Sequence, residues 1–122
     1  MDTSLEATVR YLLIAMFIFI AFGNFMNLAA SPQAYLLCFK LAGSSASAYL
    51  LANGLASILL IWLIVKESMF TWCAASLLYF GFHLANSVVI SLTIFKAPAF
   101  SLISLIGLIL SLIPLLRGLA RR

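Results

Sequence analysis

Long apolar runs alternate with short polar breaks along this chain. Four runs reach membrane-spanning length without an interior charge, roughly Val9 to Leu28, Ser47 to Val65, Phe70 to Phe95 and Ala99 to Leu116. A bilayer core about 30 Å thick is crossed by ~20 apolar residues at helical rise, so each run predicts one transmembrane helix. Backbone groups in lipid must be satisfied within their own segment, and short breaks make antiparallel neighbours of consecutive helices. The pattern predicts an all-α, integral membrane four-helix bundle, a single domain over residues 1–122.

The longest break is AASPQAYLLCFKLAGSSAS. It predicts a short amphipathic segment between helices 1 and 2: Pro32 opens a helical turn, and Tyr35, Leu36, Phe39 and Leu41 form an apolar face lying in the interface. Such a piece serves as a connector or as a flap over the end of the bundle. The breaks KESM and KAP read as tight turns. The first run is expected to be a retained helix rather than a secretory signal. Its apolar stretch is too long, its flank carries Asp2 and Glu6, and the small-residue site at Ser31 is followed by Pro32.

Composition agrees with the pattern: 66% of the residues are hydrophobic and 8% charged. The formal charge of +4 does not point to nucleic acid, because the basic residues sit at the ends of the runs. Arg10, Lys66, Arg117, Arg121 and Arg122 fall on one side of the membrane, against Lys40 and Lys96 on the other. Under the positive-inside rule this places both termini in the cytoplasm, as expected of a protein of the bacterial cytoplasmic (inner) membrane. The closing LLRGLARR carries three arginines, fewer than a lipid-recognition cluster, and reads as a topology anchor. Trp62 and Trp72 lie near the same side, where indoles settle at the interface.

Polar residues inside the runs are few and ordered. Ser76, Tyr79, His83 and Asn86 follow at spacings of three, four and three, which keeps them on one helical face, with Leu77, Phe80, Leu84 and Val88 on another. Tyr49, Asn53 and Ser57 recur every four residues in the second run; the first carries Asn24 and Asn27, the fourth Ser101 and Ser104. Such polarity cannot face lipid cheaply, so it should point into the bundle or a cavity. The amides fall in the half nearer the outside, with His83 close to the midplane, and predict a vestibule there. Asparagine and serine also serve as interhelical glue, at ~0.6 kcal/mol per bond.

The residue set narrows the chemistry. One histidine without an acidic residue inside any run makes no metal site, and a pair of haem-ligating histidines would require two copies of the chain. Cys38 and Cys73 are separated by most of the ~30 Å core and cannot bridge within one copy as a thiol redox pair. A proton-coupled small multidrug transporter depends on a membrane-embedded carboxylate in its first helix, whereas the acids here, Asp2, Glu6 and Glu67, all lie at ends or turns. HLAN resembles the HxN of the four-helix eicosanoid and glutathione enzymes, without their arginines and glutamate.

Over nearly its whole length the chain resembles the DoxX-like family of small four-helix membrane proteins. The likeness rests on Arg10 in VRYLLIAMFIFIAFG, Gly23, the AYLLCFKLAG connection, and Gly54 in LANGLASILLIWLIV. The family's usual lysine after the glycine is replaced within GNFMNL, and its acidic residue in the second helix is absent, with Asn53 nearby. The resemblance implies an accessory subunit of a membrane redox assembly, linked to quinone chemistry. A similarity to small flippase-like proteins implies instead a homodimeric carrier of amphipathic molecules.

These readings converge on one expectation. The outer-half vestibule binds a lipophilic small molecule, a quinone or a lipid, or docks a partner membrane subunit. His83 exchanges a hydrogen bond with the ligand, Asn86 and Asn53 orient its polar head, Asn24 and Asn27 line the mouth, and Tyr79 and Ser57 complete the wall. A purely structural subunit, in contact only with membrane lipids, is the plainest alternative. The orientation has a direct test. Cys38 should react with an impermeant thiol reagent added outside intact cells while Cys73 stays unlabelled; labelling of Cys38 only after the cells are opened would reverse the topology.

Overall fold

A computed structural model describes residues 3–30, 32–94, 96 and 98–120, so expectations resting on Asp2, Ser31, Phe95, Arg121 and Arg122 lie outside the described residues. Four helices, α1 (Thr3–Ala30), α2 (Ser44–Lys66), α3 (Met69–Thr93) and α4 (Pro98–Ala120), are each long and apolar enough to cross a membrane. The chain is an integral membrane four-helix bundle. At both ends α1 outruns the apolar run, and at its start it takes in Glu6, whose carboxylate meets Arg10 one turn on at 3.4 Å.

The connection after α1 is a β-hairpin rather than a helical turn. Strand β1 (Gln33–Leu36) pairs antiparallel with β2 (Phe39–Ala42) through a two-residue turn, Leu37–Cys38. Two-residue hairpin turns need a positive φ at their first central position. Leu37 supplies it at φ 54°, a left-handed conformation that costs a branched-chain residue roughly 1–2 kcal/mol. The expected apolar helical face therefore never forms. Tyr35 stands opposite Lys40, Leu36 opposite Phe39, and Leu41 packs with the small cluster of Ala34, Ala46 and Leu50 beneath the hairpin.

The helices associate as two close pairs, α1 with α2 and α3 with α4. Each pair meets at a glycine. A Cβ on Gly54 would lie 2.7 Å from the Phe25 ring, and one on Gly107 would lie 2.5 Å from the Phe80 ring. Small residues at such points let ring and backbone approach where lipid offers no hydrophobic drive. Aromatic rings fill the space between the pairs: Phe17 stacks on Phe80 at 5.1 Å, and Tyr79 meets both rings edge-on at 5.3 and 5.4 Å. Val9, Leu13, Leu60, Ile64 and Cys73 complete this core toward the termini. Outside it, Leu78 and Leu92 are 76% and 81% exposed, as lipid-facing side chains should be.

Two expectations change. Trp62 stays half exposed at the rim, but Trp72 is fully buried, with the Arg10 guanidinium 5.6 Å from its ring centre. Trp72 stands four residues before Ser76 and so extends the polar stripe's face into the core. Phe80 is buried as well, since α3 is covered by α4 on one side and by Phe17 on another and its interior arc is wider than the stripe.

The Gly107 contact makes a stability prediction. Phe80 is held by Phe17 and cannot swing aside, so Gly107→Ala should cost about 1–3 kcal/mol through overpacking. Gly23→Ala adds its methyl to open space and should leave stability unchanged or raise it. Thermal unfolding of both variants in one detergent checks this; equal melting temperatures would deny the close approach.

Candidate functional site

Polar side chains of three helices join in a single chain. The Asn24 amide donates to the Ile20 carbonyl at 2.8 Å, one turn back on α1. Asn53 on α2 donates to Asn24 Oδ1 at 3.1 Å, and the Tyr79 hydroxyl on α3 donates to Asn53 Oδ1 at 2.8 Å. Ser57 closes the lower end by donating to the Asn53 carbonyl at 3.0 Å, with its Oγ 3.3 Å from the Tyr79 oxygen. Each amide in lipid would carry a desolvation penalty if left alone. The spacing of four on α2 keeps Asn53 and Ser57 on one face, where Tyr79 of α3 reaches both.

Above this chain, on the hairpin side, a cavity of about 560 Å³ opens between the two helix pairs. That volume lies within the range of small-molecule sites, ~300–1,000 Å³. Tyr79 and Phe80 form its floor, and Gln33, Ala34 and Tyr35 of β1 its roof. Of the side chains expected to shape a vestibule, Asn24, Asn27, Asn53, Tyr79, His83 and Asn86 all border it. Ser57 does not; it is fully buried beside the polar chain and supports Asn53 from behind. No lysine, arginine, aspartate or glutamate lines the cavity among the described residues.

Asn86 holds the roof in place. Its Oδ1 accepts the Leu37 N–H and its Nδ2 donates to the Tyr35 carbonyl at 3.2 Å, so one amide grips the end of β1 where it enters the turn. Asn27 adds a third tie, donating to the Gln33 carbonyl at 3.1 Å. These amides, expected to orient or admit a ligand, are bonded to backbone. The hairpin is the flap among the two roles expected of this segment.

His83 differs from its neighbours. Its ring lies 4.3 Å from the Tyr79 ring and 5.2 Å from that of Phe82, centre to centre. Among the described residues its imidazole nitrogens make no hydrogen bond, and the side chain borders the cavity. Two features escaped sequence reasoning. The partners of Asn86 are main-chain atoms, which residue type does not reveal. Ser87, beside it, bonds the Leu84 carbonyl at 3.0 Å and meets Ser101 at 3.0 Å, tying α3 to α4; only the serine pair itself could have signalled this.

Removing the latch should loosen the roof. Asn86→Leu leaves the Leu37 N–H and the Tyr35 carbonyl to find water, at about 1–3 kcal/mol. Hydrogen exchange at the amides of residues 33–42 should accelerate while the helix cores stay protected. Unchanged exchange would mean that the hairpin holds itself.

Comparison with protein-family models, with curated proteins and with solved structures finds no match to this chain, and its own geometry defines the site.

Proposed function

We propose that this protein binds a lipophilic small molecule, a quinone or a lipid, in the cavity beneath the hairpin, with His83 as the hydrogen-bonding partner of its polar head. The observation that carries the reading is the contrast along the cavity wall. Asn24, Asn53, Tyr79 and Asn86 spend their bonds within the protein, whereas His83 presents an imidazole without a hydrogen-bond partner among the described residues. An intramembrane ionisable group facing a cavity is a functional group by default. Asn53 and Tyr79 then act as positioning residues, fixing the wall against which the head rests. Asn86 keeps the roof closed over it. The resemblance to the DoxX-like family, which implies an accessory subunit of a quinone-linked membrane assembly, favours a quinone over a lipid as the ligand to be tested first.

The test is the ligand content of the purified protein. Organic extracts of the wild type analysed by mass spectrometry should contain a retained quinone or lipid. His83→Leu and His83→Gln should both lower its amount with little change in melting temperature, because no protein hydrogen bond is lost. Asn53→Leu should lower stability too, by about 1–3 kcal/mol, because it strands Asn24 and Tyr79. A wild type that carries nothing, or three variants that retain as much as wild type, overturns the proposal.

A further inference from the structure

The cavity is closed above and below but not at the side. Its roof is pinned by Asn86 and Asn27, and its floor is sealed by the rings of Tyr79 and Phe80 over Phe17. Every lining residue from α2 and α3 is buried or half-buried. The exposed ones are Phe19, Gly23 and Asn27 of α1, Phe100 and Ile103 of α4, and Gln33 of the hairpin. Phe19, Gly23 and Asn27 recur every four residues, so they form one stripe down α1. The cavity therefore opens through the seam between α1 and α4. Gly23 lies seven residues before the end of α1, about 10 Å below it at helical rise, which sets the mouth at the depth of acyl chains rather than of water.

Gly23 widens this mouth. A Cβ there would meet nothing within 4 Å, and the flanking Phe19 and Phe100 are 71% and 58% exposed. The walls inside offer neutral amides, hydroxyls and one imidazole. Lys40 of the hairpin is exposed and outside the lining. An ionised headgroup drawn into such a space would find no counter-charge, at a penalty of several kcal/mol.

From these observations, and resting on the ligand-binding reading above, we infer that the ligand is an uncharged amphiphile that enters sideways from the bilayer through the α1–α4 seam at Gly23, its oxygen-bearing head going in to His83 and its chain remaining in the seam. The chain lies against Phe19 and Phe100. The head exchanges water or interfacial hydrogen bonds for those of the cavity wall.

The inference is tested by photo-crosslinking in phosphatidylcholine vesicles. Two probes share one diazirine-bearing acyl-length chain: a monoacylglycerol, uncharged, and an alkyl sulfate, permanently anionic. Labelling of cavity peptides is scored against labelling of the lipid-facing surface around Leu78 and Leu92. The monoacylglycerol should label the cavity at least about tenfold more than the alkyl sulfate, the ratio that corresponds to ~1.4 kcal/mol of discrimination. Gly23→Phe, which plugs the mouth, should reduce cavity labelling to the alkyl sulfate level. Gly23→Ala, which leaves the mouth open, and Gly81→Phe, a matched change into open space away from the cavity, should label like wild type. Undiminished labelling of Gly23→Phe overturns the sideways route and leaves the binding site standing. Equal labelling by the alkyl sulfate overturns the uncharged head. If neither probe reaches the wild-type cavity while both label the outer surface, the binding site itself falls, and this inference with it.

Discussion

A side-chain amide inside a bilayer has to find its partner within the protein, and that requirement organises the hairpin half of this bundle. Asn24, Asn53 and Tyr79 satisfy one another across three helices, so α1, α2 and α3 are fixed in register at the level of Asn53. Individual bonds of this kind in membrane proteins contribute little, ~0.6 kcal/mol on average. Their joint effect is positional. Because Tyr79 must reach Asn53, the face of α3 that carries it turns inward, and His83 and Asn86 follow onto the cavity wall.

Shape divides the labour differently from hydrogen bonding. Glycines bring the members of each helix pair into contact, while Phe17, Tyr79 and Phe80 keep the two pairs apart. Stacked and edge-on rings contribute about 0.5–1.5 kcal/mol each beyond their buried area. The cavity is what remains where the aromatic filling stops and asparagine takes over. A bundle packed with leucine throughout would have had no reason to leave that space.

The four helices and the inward stripe were legible in the sequence because span length and helical periodicity depend on residue type alone. The gathering of Asn24, Asn53, Tyr79 and His83 followed from placing those stripes in antiparallel neighbours. The hairpin was not legible. Its apolar residues fit a helical face as well as a strand, and the deciding contacts are the main-chain groups of Tyr35 and Leu37 bonding to Asn86, far away in sequence. Trp72 misled for a related reason: its depth suited the interface, but its helical angle belongs to the core. The expectation for Asn86 as a ligand group met a side chain already committed to the roof.

The grip of Asn86 on the hairpin reaches only backbone atoms. The two sides of the contact therefore tolerate change very differently. Side chains on β1 and β2 can be exchanged without touching the two bonds, provided that the turn keeps its shape and an N–H at position 37. On α3, by contrast, the latch needs a donor and an acceptor on one short side chain. Mutational freedom over the roof is thus bounded less within the hairpin than at the amides that hold its backbone, Asn86 above all, and variation in the hairpin can retune the cavity's ceiling without unfastening it.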